Sequence, residues 1–199
     1  MSAHHDHMFE PSQGPLLRSP FVDEDTFWAM IAQCREESGN NTELAARILF
    51  RRLRALGSTE VVEFVQLWEQ ARSRLYSWLV TDAACLMLGP VEEEDLRHIQ
   101  NWIISHGRPT LQRVVGDPDS LTDLATDGGN ARAQWFDEFI TEAHVLVSGT
   151  WPSGHDPDGP ENLIGERTDL DDPAAVRQWF PRLAAFRRDN PGFGKPEVR

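Results

Sequence analysis

The chain has 199 residues, of which 40% are hydrophobic, and its formal net charge is −13 at pH 7. This length and composition predict one globular domain with short extensions and a sizeable apolar core. The negative charge argues against binding to nucleic acids or anionic membranes, because such ligands require clustered Lys and Arg. It favours a basic protein partner.

Targeting and redox features favour the cytoplasm. The first 20 residues lack the basic-then-apolar order of a signal peptide, and no apolar run approaches the roughly 20 residues of a membrane-spanning helix. Cys34 and Cys85 both lie in apolar helical patterns. We therefore expect two reduced core thiols and no disulfide framework.

The N-terminal third predicts a polar arm and two helices. Residues 1–20 are polar and contain Pro and Gly, so we expect a disordered arm before a helical domain over 21–147. Asp23 or Asp25 can cap a first helix, which carries Phe27 and Trp28 on its apolar stripe. A second helix is predicted over about 42–56, before Gly57.

The middle of the chain predicts the longest helix and then an acidic helix start. Helical spacing of apolar residues runs from Ser58 or Thr59 through Leu75 into a segment that is apolar on all sides, up to Gly89-Pro90. Glu92–Glu94 begin the next helix, where negative charge suits the helix dipole, and Gly107 ends it. A short helix is expected over about 109–115.

The C-terminal part predicts two further helices separated by a long loop. Residues 130–147 have amphipathic helical spacing, 148–172 are rich in Gly, Pro and Asp, and a last helix over about 173–188 starts with Pro173. We expect 148–199 to pack on the same domain. No segment alternates like a strand, so the predicted fold is all-α with about six to seven helices.

The order of several motifs resembles the bacterial DUF4240 family, a domain of unknown function. The resemblance begins with Phe27-Trp28 and continues with Tyr76-x-Trp78, Ala83-Ala84, Gly89 and the acidic run Glu92–Glu94. It ends with Trp102-Ile103-Ile104, Gly107-Arg108, Pro118-Asp119-Ser120-Leu121 and, near the C-terminus, Pro181-Arg182-Leu183. This resemblance implies an all-helical fold and brings no activity with it.

The chain departs from the family pattern in two places. The family pattern has Gly-Gly-Cys-Ser-Asp-Asp before the acidic helix, whereas this chain has Leu88-Gly89-Pro90-Val91 and then glutamates. The family pattern also has an aromatic residue and an Arg shortly before the Trp, where this chain has Ile99 and Gln100. If that Arg belongs to a shared ionic site, the site is altered here.

The main candidate site is a polar cluster around the acidic helix. Glu94 and His98 are four residues apart, so they share a helix face and could hold a metal ion. Two ligands are too few to predict a metal site, and an acidic first turn with an exposed histidine explains the same pattern. The candidate cluster comprises Glu93, Glu94, Asp95, His98, Trp102 and Arg108.

Other polar groupings have simpler explanations than a site. Glu138 and Glu142, with His144 nearby, lack the second Glu-x-x-His helix of a di-iron bundle, so a solvated face is expected. Asp156, Asp158 and Glu161 depart from the calcium-loop pattern. His4, His5 and His7 could bind nickel or copper, but an incidental or vector-derived cluster explains them equally well.

No nucleophilic centre is predicted either. Cys85 lies on the most apolar helix, where a thiol stays protonated. Ser105 and His106 are adjacent, so their side chains diverge on a helix. The sequence contains no phosphate-binding Gly loop or dinucleotide fingerprint.

Two hypotheses from different classes follow. The first is a cytoplasmic, non-enzymatic binding or regulatory module with an acidic surface for a basic partner, without a cofactor or catalytic residues. The alternative is a small-molecule or metal-dependent enzyme with its site near the start of the predicted helix 91–106. The two differ in where Glu94, Trp102 and Arg108 point once the chain is folded.

Overall fold

The computed structural model describes residues 22–191 and Phe193, and all regular structure in this part of the chain is helical. Nine α-helices and one long 3₁₀ segment follow one another. They are α1 (Glu24–Glu37), α2 (Thr42–Leu53), α3 (Ser58–Ser73), α4 (Trp78–Leu88), α5 (Glu93–Ser105), α6 (Arg108–Gly116), the 3₁₀ segment (Pro118–Asn130), α7 (Trp135–Ser148), α8 (Pro173–Trp179) and α9 (Pro181–Asp189).

Short polar side chains begin several of these helices, and Asp23, at the start of the first, is one of the two caps that the sequence offers there. Asp23 accepts a hydrogen bond from the backbone N–H of Thr26 at 2.7 Å and starts α1. Asn41 does the same for α2 through Leu44 N–H at 2.8 Å. These caps satisfy amide groups that have no partner inside the helix.

The all-α prediction is confirmed, but the number of helices is wrong: ten are found in the described residues, not six to seven. One extra element arises because the predicted long helix breaks between α3 and α4. There Ser77 adopts an extended conformation and its hydroxyl accepts from Val80 N–H at 3.3 Å. Backbone bonds with Ile164 hold the break, because Trp78 N–H donates to the Ile164 carbonyl at 2.9 Å.

The predicted last helix is also two helices. Pro181 lacks the N–H that a continuous helix would need, and Phe180 before it leaves helical geometry with φ −134° and ψ 57°. Phe180 is 1% exposed, so the bend inserts its ring into the core. The segment after α6, over which the sequence predicts no helix, is the 3₁₀ segment.

An aromatic core holds the first half of the fold to α7. Trp68 of α3 stacks on Phe136 of α7 with ring centroids 5.7 Å apart, and Phe27 and Phe64 lie against it. Each of these four rings is at most 4% exposed. Helices α8 and α9 close the other side, where α9 packs on α4 and on the 3₁₀ segment.

The loop 149–172 has no helix, as predicted, and it lies against α3 and α4. Thr168 N–H donates to the buried Asp82 carboxylate at 2.7 Å, and Arg72 donates to the Gly154 carbonyl. The predicted disordered arm and the cluster of His4, His5 and His7 lie outside the described residues. Among the described helices, none is long and apolar enough to cross a membrane.

Candidate functional site

The first turn of α5 places neighbouring acidic residues on different faces of the molecule. Glu93 opens onto a cavity on the α3 side, whereas Glu94 opens onto a groove on the α7 side. Asp95 points elsewhere and faces Arg132, with 3.5 Å between Oδ2 and Nε. Consecutive helical residues diverge by about 100°, so the acidic run cannot act as one site.

Trp102 and Arg108 do not join these acids. Trp102 is 1% exposed, and its indole N–H donates to Asp127 at 2.8 Å. Arg108 lies near the surface at the start of α6, where it pairs with Asp25 at 3.0 Å and Glu24 at 3.4 Å. The structure therefore separates the predicted cluster, and Arg108 ties α6 to α1.

Glu94 and His98 instead meet the carboxylates of α7. Together with residues of α7 and the following loop they line a groove of about 490 Å³, which we call the α5–α7 groove. Its defining residues are Glu94, Glu138, Glu142, Val145, Leu146 and Trp151. The pair Glu94 and His98 and the pair Glu138 and Glu142, which the sequence analysis treats separately, therefore lie on one surface.

The α5–α7 groove combines exposed apolar side chains with unbalanced negative charge. Trp151 is 77% and Leu146 57% exposed. In the part of the chain that the structure describes, no Lys, Arg or His approaches Glu94, Glu138 or Glu142 within ion-pair distance. A net negative, apolar depression of this kind is complementary to a basic, apolar ligand.

The charge of Asp137, which also lines the groove, is compensated. Its Oδ1 accepts from Arg97 at 2.8 Å and from the Asn101 amide at 2.9 Å, and Arg72 lies 3.9 Å away. His98 is buried behind it, with 4.0 Å between Nε2 and Asp137 Oδ2. The charge that a ligand would meet in the groove therefore comes from the three glutamates.

The cavity beside Glu93 also has a volume of about 490 Å³, and we call it the α3–α5 cavity. The residues that define it are Glu69, Arg72, Glu93, Arg97, Gln100 and Glu161. Glu69 and Arg72 form an ion pair at its floor, with side chains 8% and 10% exposed. Burial raises the pKa of the Glu69 carboxyl, although Arg72 opposes the shift, and burial lowers the pKa of Arg72.

A half-buried cluster around Asp127 was missed by the sequence analysis. Asp127 accepts hydrogen bonds from Thr42 at 2.7 Å, from Trp102 at 2.8 Å and from Asn130, and His106 Nε2 lies 3.0 Å away. Burial alone would raise the pKa of Asp127, but these hydrogen bonds outweigh it and the pKa lies below its ordinary value. In the sequence, Asp127-Gly-Gly-Asn130 has the composition of a solvated turn. The one signal that could have suggested a hydrogen-bond partner for Asp127 is Trp102, whose indole N–H needs an acceptor when it is buried.

The remaining polar groupings have structural roles. His144 is buried, and its Nδ1 contacts the Thr150 carbonyl at 2.9 Å, away from the exposed Glu142. Asp156 accepts from Ser73 at 2.9 Å and from Asp158 N–H at 3.1 Å, which shapes the loop. Within the described residues, no group of three or more His, Cys, Asp or Glu side chains could hold a metal ion.

The nucleophile candidates are engaged or buried as well. Burial raises the pKa of the Cys85 thiol, and both cysteines are unpaired within the described chain. Ser105 donates to the Trp102 carbonyl at 2.7 Å, whereas His106 turns to Asp127. The two adjacent side chains point apart, as the sequence spacing predicts.

Comparison with known families gives one match. The model of a family described as "Protein of unknown function (DUF4240)" matches residues 22–145. The chain matches no curated protein and no solved structure.

Proposed function

This chain belongs to the DUF4240 family of unknown function, and from the geometry of the α5–α7 groove we propose that it is a cytoplasmic, non-enzymatic binding module for a basic amphipathic segment of a partner protein. The observation that carries this proposal is the exposure of Trp151 and Leu146, 77% and 57%, beside Glu94, Glu138 and Glu142. The partner would cover this apolar surface and neutralise these charges.

The chemistry of the groove defines what its occupant needs. Val145, Leu146 and the Trp151 ring offer apolar area for Leu, Ile or Phe side chains. The glutamates offer ion pairs to Lys or Arg, and the indole face of Trp151 offers a cation–π contact. A segment with an apolar stripe flanked by basic residues satisfies both kinds of contact.

A helix is the conformation that suits this groove. The groove lies along α5 and α7, and two packed helices present ridges and a depression that accept the apolar face of a third helix. The described part of the chain has no sheet edge to which an extended peptide could add a strand. We therefore expect recognition of side chains at helical spacing.

The proposal is tested with a fluorescein-labelled amphipathic peptide of about 18 residues that carries Leu on one face and Lys on the other. Fluorescence anisotropy measures its binding to the wild type and to the triple variant Glu94→Gln, Glu138→Gln, Glu142→Gln. We expect the triple variant to bind at least about tenfold more weakly, because each Gln keeps the shape and removes the charge. Trp151→Ala should weaken binding to a similar extent.

A charge-matched control separates the groove from the general acidity of the protein. The variant Glu36→Gln, Asp117→Asn, Glu166→Gln removes the same charge from exposed positions outside the groove. It should bind the peptide within about twofold of the wild type at 0.15 M salt. Equal weakening by both triple variants would show non-specific attraction and would refute the groove. Concentration-dependent dimerisation that masks Trp151 would assign the groove to a second copy instead.

A further inference from the structure

The α3–α5 cavity is a second depression, independent of the groove. The ion pair between Arg97 and Asp137, 2.8 Å from Nε to Oδ1, stands between them, because Arg97 lines the cavity and Asp137 lines the groove. The loop 149–172 forms the outer wall of the cavity with Gly154, His155 and Asp156. A ligand here would not occupy the surface that we assign to the partner segment.

Apart from Asp156, which accepts from Ser73 and from Asp158 N–H, the charged groups of the cavity fall into two sets. Glu69 and Arg72 satisfy each other at the floor, and Arg72 also donates to the Gly154 carbonyl. Glu93 and Glu161 at the mouth have no ion pair within the described residues. Arg97 uses Nε for Asp137, and its two terminal nitrogens make no hydrogen bond in the described chain, while its side chain is 38% exposed.

Gln100 is an independent observation that points to a polar ligand in this cavity. Its side chain lines the cavity, the residue is 3% exposed, and its Nε2 is buried without a hydrogen-bond partner. An unsatisfied buried amide of this kind destabilises the folded state. Natural proteins rarely keep such a group unless something satisfies it. Because Nε2 is a hydrogen-bond donor, it can serve a ligand oxygen in the cavity.

We propose that the α3–α5 cavity binds a basic amino acid, such as free arginine or an arginine residue at the end of a peptide. The ligand carboxylate, or the carbonyl of an arginine at an amino terminus, accepts from Arg97 and Gln100. The α-ammonium and the guanidinium pair with Glu93 and Glu161. This assignment uses Glu93, Glu161, the terminal nitrogens of Arg97 and the orphan amide, and a bare diamine or a neutral sugar would use only some of them.

The size of the cavity agrees with this ligand class. A volume of about 490 Å³ lies in the range of small-molecule sites and exceeds one amino acid, so the side chain can extend along the cavity. The buried ion pair of Glu69 and Arg72 provides a fixed polar floor, whereas the glutamates at the mouth remain accessible. The site therefore combines a rigid base with an acidic entrance.

The test compares L-arginine with agmatine, which lacks the carboxylate, and with L-norvaline, which lacks the guanidinium. Isothermal calorimetry on the full chain should show arginine binding at least about tenfold more tightly than either analogue. Gln100→Met keeps the length of the side chain and removes the amide. It should weaken arginine about fivefold to tenfold and agmatine little, so the preference for arginine over agmatine shrinks.

Two further variants complete the design. The pair Glu93→Gln, Glu161→Gln should weaken arginine and agmatine together, whereas Glu166→Gln, an exposed acid outside the cavity, should leave both unchanged. Thermal unfolding of Gln100→Met checks that the variant is folded. Equal affinity for arginine and agmatine, no effect of Gln100→Met on arginine, or no binding of millimolar arginine would each overturn the proposal. None of these outcomes bears on peptide binding in the groove.

Discussion

Asp127 accepts hydrogen bonds from three separate parts of the chain. Thr42 begins α2, Trp102 lies in the last turns of α5, and Asn130 ends the 3₁₀ segment. A single carboxylate thereby fixes the position of three elements, and four donors around it satisfy a charge that would otherwise be costly to bury. His106 completes the set, and its environment gives the cluster a pH dependence.

We expect His106 to make the protein less stable as the pH falls from about 6.5 towards 4. Burial and the nearby charge of Arg35 lower the pKa of His106 to about 4, although Asp127 opposes the shift. Between these pH values the unfolded chain binds a proton at His106 and the folded chain does not, so protonation favours unfolding. Between pH 7 and pH 4.5, protonation of this single group should lower the free energy of unfolding by about 2–3 kcal/mol.

Urea unfolding of the wild type and of His106→Gln at several pH values measures this contribution. Gln keeps a donor for Asp127 and does not titrate, so the wild type should lose more stability than the variant across this window. Taking the difference between the two curves removes the opposite contribution of Glu69, whose raised pKa favours the folded state as the pH falls. The exposed His155→Gln serves as control. Parallel curves for the wild type and His106→Gln would contradict the assignment.

At the scale of elements, the 3₁₀ segment holds α9 through Asp119. Its two carboxylate oxygens accept from the backbone N–H groups of Arg182 and Leu183, at 2.7 and 2.8 Å. This carboxylate therefore acts as the N-cap of a helix more than sixty residues away in the chain. The motif Pro118–Leu121, which lies within the residues matched by the family model, and the motif Pro181–Leu183, which lies beyond them, are two sides of one contact.

Asp119→Ala should destabilise the fold by about 2–4 kcal/mol, because it leaves two amide donors at the start of α9, one of them buried, without an acceptor. The matched control is Asp123→Ala in the same segment, which removes exposed ion pairs to Arg182 and Arg113 and should cost less than about 1 kcal/mol. Urea unfolding gives both values. Hydrogen exchange at Arg182 and Leu183 should accelerate in the first variant alone; equal losses in the two variants would refute the capping role.

Helix type and most helix starts were predictable, but the two breaks within predicted helices were not. The apolar spacing continues across the break at Ser77, and it is the backbone pairing with Ile164 that stops α3 from running into α4. That partner lies in a loop far along the chain, so no local pattern indicates it. At Phe180 the local signal, a following proline, was present, and burial of the ring decided that the helix bends there.

At the scale of the whole molecule, α8 and α9 complete the core although they lie beyond the residues matched by the family model. Val176, Phe180 and Leu183 are buried against the rest of the fold, at 8%, 1% and 0% exposure. Transfer of three such side chains from water into the core contributes about 5–8 kcal/mol to the free energy of unfolding. That is comparable with the whole stability of a typical domain.

A chain that ends at residue 172 should therefore not unfold cooperatively. We expect strong binding of a hydrophobic dye such as anilinonaphthalene sulfonate and a broad thermal transition, as for a collapsed state without fixed packing. A chain that ends at residue 193 should behave like the full chain. If the shorter chain keeps a sharp transition with no dye binding, residues 22–172 fold without α8 and α9.

The sequence by itself determined the helical class, most helix starts and the apolar faces, because caps and 3.6-residue spacing act within a few residues of each other. It also identified Glu94, His98, Glu138 and Glu142 as polar positions on helices. Only the tertiary structure decided that these four line one groove, that Glu93 and Gln100 line another cavity, and that Trp102 meets Asp127. The physical reason is that a site is a set of distances between elements, and those distances depend on how the helices pack, not on the local order of residues.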